Sequence, residues 1–191
     1  MDKKAEEIQE MRKGKFSWRL LGENFVFEED GHFYKMPTYL AKNTMYRDCS
    51  SYEKVNTSLE TIRKYFGPIA FIPETKIYED SEGHFVIDQV KVEGGKELTR
   101  DMMDNNPELL SRFKRLVIAN EVMWQNEGVF LDLLGSDIVT HPQTIHNLIT
   151  DGKDLYVFDF GLLEKKPKNI LFRVISHSIK LFQSAFVKIF Y

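Results

Sequence analysis

Short apolar runs broken by turn residues dominate the chain from residue 16 onward: FSWRLLG, NFVF, EEDG and HFYKMP follow one another. Aromatic and aliphatic runs separated by Asp30-Gly31 predict a β-hairpin or meander with its bend at that dipeptide. Over residues 47–66, Tyr52, Val55, Leu59, Ile62 and Phe66 recur at steps of three and four, the spacing that lines one helical face. Gly67 and Pro68 stop that helix, and FIPETKIYED, an SEG turn and HFVIDQVKV predict another strand pair. The opening MDKKAEEIQEMRKGK has only Ile8 and Met11 as large apolar residues after Met1, so residues 1–15 read as a short solvated helix or a loose arm.

Over residues 107–127, Leu109, Phe113, Leu116, Val117 and Trp124 share one face, interrupted by the single polar residue Asn120. With Pro107 suited to a first turn, this predicts a long helix. FLDLLG and a turn-rich stretch containing His141-Pro142 follow. The strand NLIT, the turn DGKD and the strand LYVFDFG then predict a second hairpin. The class is α+β, with no repeat that would signal a solenoid.

A length of 191 residues allows one domain, or two small lobes sharing a cleft. With 42% hydrophobic and 13% aromatic residues the core has bulky material to bury, which argues against disorder. The formal charge of −3 gives no global case for nucleic-acid binding. The single cysteine, Cys49, excludes an internal disulfide and a multi-cysteine zinc site, and fits a reducing compartment. No early apolar run suits a signal peptide, and no stretch of about 18 apolar residues suggests a membrane span. A cytoplasmic location is expected.

The chemistry concentrates in NLITDGKDLYVFDFG, residues 147–161. Hairpin pairing brings Asn147, at the mouth of one strand, to the same end as Asp159, at the end of its partner. Magnesium prefers oxygen ligands and is commonly held by one or two protein groups plus substrate phosphates, so this end is a candidate metal site. A hairpin with an exposed aspartate is the alternative reading.

Here the sequence resembles the protein-kinase-like superfamily, whose catalytic-loop Asn and DFG Asp hold the metals that bridge the ATP phosphates. The resemblance extends over most of residues 16–164 and rests on the order Lys35, Glu53, Asn147 and DFG at 159–161. It implies a minimal bilobal fold. A β-rich N-lobe would span residues 16–90, followed by a hinge and a reduced helical C-lobe over 91–164. It also implies ATP and Mg²⁺ as cofactors and a hydroxyl-bearing acceptor. Lys35 would reach the phosphates and pair with Glu53, with Glu60 as second choice. Backbone groups at Val90 and Val92 would face the adenine, while Gly94 and Gly95 turn the chain into the second lobe.

The sequence departs from the family in two places. RLLGENFVF carries Gly22 but no GxGxxG, so the backbone can closely approach the phosphates at one glycine only. The position five before Asn147 is Pro142, where kinases place the Asp that orients the acceptor hydroxyl. Asp132 and Asp137 are the nearest upstream acids, and His141 and His146 are further candidates. Lipopolysaccharide-sugar kinases and related small-molecule kinases of bacteria are the relatives this pattern suggests. A pseudokinase scaffold without phosphoryl transfer is the rival, and an unrelated α+β binding module a third reading.

Residues 165–191 hold five Lys and one Arg with no acid, interleaved with apolar residues. Arg173, His177, Lys180, Ser184 and Lys188 form a polar, cationic stripe on an otherwise apolar helix. Such a helix can pack under the second lobe, or lie on an anionic membrane surface, which would place the protein peripherally at the inner face of a membrane.

Overall fold

A computed structural model of the chain describes residues 3–11, 24–37, 51–134, 143–167 and 170–190. In chain order these form α1 (Lys3–Met11), β1 (Asn24–Glu29), β2 (His32–Pro37), α2 (Tyr52–Phe66), β3 (Thr75–Glu79) and β4 (Phe85–Val90). They continue as β5 (Lys96–Thr99), α3 (Arg100–Asp104), α4 (Pro107–Asn126), β6 (Val129–Leu131), β7 (Thr144–Thr150), β8 (Leu155–Val157), β9 (Leu162–Glu164) and α5 (Ile170–Phe190). The described residues thus make an α+β fold of five helices and three antiparallel sheets, ordered β1-β2-β4-β3, β5-β7-β8 and β6-β9. None of these helices is long and apolar enough to cross a membrane.

The four-stranded sheet begins with the expected hairpin. Asp30 and Gly31 both have positive φ, 49° and 76°, which two-residue turns of the mirror-image type require and which Asp and Gly tolerate. That turn fixes the register Val26↔Lys35, and β4 on the other side sets Lys35↔Ile87. Because side chains alternate along a strand, Tyr34 and Met36 face away from Lys35 and pack with Phe27 and Val86. α1 covers this outer cluster: Ala5 and Ile8 are fully buried, and Gln9 Nε2 donates to Asp80 Oδ2 at 2.6 Å. Residues 3–11 are therefore a core-forming helix rather than a loose arm. Two apolar side chains at i and i+3 suffice because the sheet offers them a ready apolar face.

α2 starts where the Ser51 hydroxyl accepts the Lys54 N–H at 3.3 Å. It buries Val55, Leu59, Ile62 and Phe66, and Gly67 caps it. α4 starts at Asn106, whose Oδ1 accepts the N–H groups of Glu108 and Leu109, with Pro107 in the first turn. Its buried face carries Leu109, Phe113, Leu116, Asn120, Met123 and Trp124. One apolar cluster runs from α2 and β4 through α4 and β6 to β7, β8 and α5, so the three sheets share a core. The four-residue β5, the five-residue α3 and the β6-β9 pair are elements that the apolar pattern does not announce.

Two joints set the sheets against each other. After α2, Phe71 donates its N–H to Leu155 O at 2.8 Å and accepts the Val157 N–H at 2.9 Å, stitching this segment to β8. In the connector after β4, Gly94 has φ +66°, and a Cβ on Gly95 would lie 2.7 Å from Ile149 Cγ2 and 2.9 Å from Val92 O. Only glycine fits that approach.

Asn120 explains the polar break in the α4 face. Its Nδ2 donates to Leu131 O at 2.7 Å and its Oδ1 accepts the Leu131 N–H at 2.8 Å, latching α4 to β6. Asn120→Leu is expected to cost about 2–4 kcal/mol, because the buried Leu131 N–H loses its partner at roughly 1–3 kcal/mol and the Leu131 carbonyl keeps only the longer Gln183 contact. The shift in the urea midpoint, with its slope unchanged, measures it.

Candidate functional site

The β7-β8 hairpin is built by Asp151. Its Oδ1 accepts the N–H groups of Lys153 and Asp154 at 2.9 and 2.7 Å, and its Oδ2 accepts the Tyr156 hydroxyl at 2.9 Å. This turn sets the register Leu148↔Val157, so Asn147 stands opposite Phe158, whose N–H reaches Asn147 O at 3.4 Å. Asp159 follows directly, at the same end as Asn147.

Lys35 meets this end from the other sheet. Its Nζ donates to Phe158 O at 2.9 Å and stands 3.9 Å from Asp159 Oδ1. The ammonium also lies over the Phe158 ring, 4.1 Å from its centroid, and 5.4 Å from that of Phe160. Phe33, two residues earlier on the same face of β2, makes an edge contact with Phe158 at 5.2 Å. Lys35 is 5% exposed and the Asp159 carboxylate 38%, so a buried cation stands beside a carboxylate open to solvent. Asp159 Oδ1 also accepts the Phe160 N–H at 2.9 Å, which orients the carboxylate.

Asp132 closes the arrangement. Asn147 Nδ2 donates to the Asp132 carbonyl at 2.5 Å, and the Asp132 N–H reaches Gly161 O at 3.4 Å. The buried Asp132 is therefore tied to the metal-site candidate Asn147 and to the residue two beyond Asp159. On either side of it, Leu131 is held by Asn120, and the Leu133 N–H is accepted by Gln183 Oε1 of α5 at 2.9 Å. Asn120 and Gln183 were not among the expected site residues. The signal for Asn120 was the lone polar residue on an apolar helical face. A buried glutamine in α5 gave no comparable signal.

No family model, curated protein or solved structure matches the chain.

The remaining sequence candidates lie as follows. Glu53 and Glu60 are exposed on α2, and neither forms an ion pair with Lys35, because the inward face of the helix is taken by Val55, Leu59 and Ile62. At the connector, the Val90 N–H is used by Glu74 O at 2.9 Å and the Lys91 N–H by Gly31 O at 2.8 Å. The Val92 carbonyl accepts from Gly95. His146 Nδ1 stands 3.2 Å from Glu97. Gly22, Asp137 and His141 lie outside the described residues. A cavity of about 320 Å³ opens elsewhere, between the end of α2 and α4, where Arg112 bridges Asp154 and Glu108 and Phe71 is exposed.

Among the described residues no group of three or more His, Cys, Asp or Glu side chains could cage a metal. Asn147 and Asp159 instead offer an amide and a carboxylate at one hairpin end. That donor set fits a magnesium that takes its remaining ligands from phosphates and water.

Bonds from the backbone N–H groups of Asp154 and Lys153, then from Tyr156, hold the Asp151 carboxyl below its ordinary value of 3.8. A carboxylate with a depressed folded value contributes stability in full above the ordinary value and loses it as pH falls through the folded one. Asp151→Ala is expected to lower stability by about 1 kcal/mol at neutral pH, a modest cost because these bonds face water. The gap to wild type should close under acid, as followed by urea unfolding across pH. A gap that stays constant down to full protonation would contradict this role.

Proposed function

We propose that the cleft between β2 and the 158–161 segment binds ATP with magnesium and transfers its γ-phosphoryl group to a hydroxyl-bearing acceptor, in a minimal kinase-like fold. The observation carrying this reading is the reach of Lys35 across the molecule to Phe158 O and Asp159, with Asn147 and Asp132 bonded directly behind. In this reading the four-stranded sheet with α2 is the first lobe, and α4 with the two smaller sheets is the reduced second lobe. Lys35 places a positive charge on the phosphates. Asn147 and Asp159 would hold magnesium, which neutralises charge on the phosphates when bound. Of the two candidate acids, Asp132 is favoured, because the Asn147 amide fixes its backbone beside the metal pair. It would orient the acceptor hydroxyl and take its proton as the new O–P bond forms and the bond to the leaving ADP oxygen breaks. Catalysis would rest on positioning and charge stabilisation rather than on a covalent intermediate.

A second reading, nucleotide binding without transfer, draws support from the exposure of Glu53 and from the occupied N–H groups of Val90 and Lys91. Activity at Asp132 separates the two.

Thermal unfolding with ATP and Mg²⁺ tests the site. At roughly a hundredfold excess over Kd, a ligand that binds only the folded state adds about 2.7 kcal/mol, and Tm is expected to rise by about 5–10 °C. Asp159→Ala should remove the magnesium-dependent part of that rise. Lys35→Ala should weaken ATP binding about tenfold to a hundredfold, the worth of a charged hydrogen bond. Asp132→Asn should keep the Tm shift while phosphoryl transfer falls about a hundredfold or more. Titration curves identical in wild type, Lys35→Ala and Asp159→Ala would remove the assignment.

A further inference from the structure

α5 has two apolar faces, and among the described residues only one is covered. On the inner face Ser176, Gln183, Phe186 and Val187 are buried. Gln183 bonds Leu133 and Leu131, His177 stacks edge-on against Trp124, and Lys180 and Ser184 both reach Glu121 of α4 at 2.7 Å. On the outer face Ile170, Val174 and Leu181 are 75%, 60% and 66% exposed, flanked by Leu171 and Phe182 at 59% and 49%. Steps of four and seven put the first three in one line, and the flanking pair lies a third of a turn away. With the small residues Ser178 and Ala185 alongside, the exposed apolar stripe from Ile170 to Phe182 is about 18 Å long at 1.5 Å rise per residue. Soluble surfaces scatter large apolar side chains singly, so a stripe marks a contact surface.

Charge selects what that surface meets. No acid occurs in residues 165–191. Lys180 is neutralised by Glu121, and Lys165 lies over the Trp124 ring. Arg173 is exposed at one edge of the stripe and Lys188 continues its line seven residues past Leu181, with Lys166 ahead of the helix; no ion pair of these three is seen among the described residues, although the Lys188 charge also acts on Glu121. A lipid surface with anionic headgroups complements both features, whereas a second copy of the same cationic edge would be repelled by it.

We propose that the outer face of α5 docks in the plane of an anionic lipid bilayer. Ile170, Val174, Leu181 and Phe182 enter the acyl boundary, and Arg173 and Lys188 meet the headgroups. The helix lies on the membrane while its inner face stays in the core. This inference is independent of the nucleotide reading, and its test needs no nucleotide.

Deleting the helix would not test it, because Gln183 and Phe186 belong to the core. The experiment is flotation of the full chain with vesicles of phosphatidylcholine alone or mixed with phosphatidylglycerol, at low and high salt. Two double variants change only exposed positions: Val174→Asn with Leu181→Asn, and Arg173→Gln with Lys188→Gln. Unchanged circular dichroism and Tm are expected of both. Wild type should float with the mixed vesicles only, and salt should release it. The charge variant should bind about thirtyfold more weakly, at about fivefold per basic side chain. The apolar variant should lose about tenfold or more. Equal flotation with neutral vesicles, no flotation, or flotation that neither variant weakens would overturn the proposal. So would a dimer in sedimentation that Leu181→Asn dissolves in a protein that binds no vesicles, since a second copy would then be what covers the stripe.

Discussion

Three side-chain amides hold three consecutive residues, and the rest of the molecule is arranged around that hold. β6 is buried along its whole length yet among the described residues has a strand neighbour, β9, on one edge only. Antiparallel pairing satisfies alternate residues, so the N–H and carbonyl of Leu131 point away from β9 into the core, where an unmet backbone group would be costly. Asn120 of α4 meets both, Gln183 of α5 adds a longer contact to the same carbonyl and takes the Leu133 N–H, and Asn147 of β7 binds the carbonyl of Asp132 between them. A three-residue strand thereby organises two helices and a hairpin. Each amide offers a donor and an acceptor in one plane, which neither an apolar residue nor a single charge could supply.

The candidate site inherits its geometry from that hold and from the Asp151 turn. The hairpin brings Asn147 and Asp159 to one end, and the four-stranded sheet delivers Lys35 through the register set at Asp30-Gly31. Phe71 and Gly95 fasten the two halves at separate points, so the separation between Lys35 and Asp159 is governed by two backbone joints rather than by the ion pair itself. At 3.9 Å the pair is loose, and the closer bond from Lys35 goes to a carbonyl.

Much of this was legible in the chain because the signals were local. The Asp30-Gly31 and Asp151-Gly152 turns state their chemistry in adjacent residues, and α2 and α4 repeat an apolar period over several turns. β6 and β9, read as VFL and LLE, are too short to show any period and exist because each completes the other across some thirty residues. The burial of Ala5 and Ile8 depends on an apolar outer sheet face that residues 1–15 do not contain. Asp132 stands fifteen residues before Asn147, and what ties the two is a side-chain amide meeting a backbone carbonyl, a contact that counting along the chain does not announce, while Asp137 lies outside the described residues. Which way Glu53 faces was likewise settled by its neighbours, since Val55 and Leu59 claim the inner side of the helix.

Gln183 carries one more consequence. α5 follows every other described element in the chain, so a ribosome releases it after Lys35, Asp132, Asn147 and Asp159 have already emerged. Until Gln183 arrives, the Leu133 N–H beside Asp132 lacks its acceptor and the core beneath β6 lacks Phe186 and Val187. A nascent chain holding all four candidate site residues would therefore still lack the helix that steadies the backbone beside them, so that backbone is completed only when α5 docks.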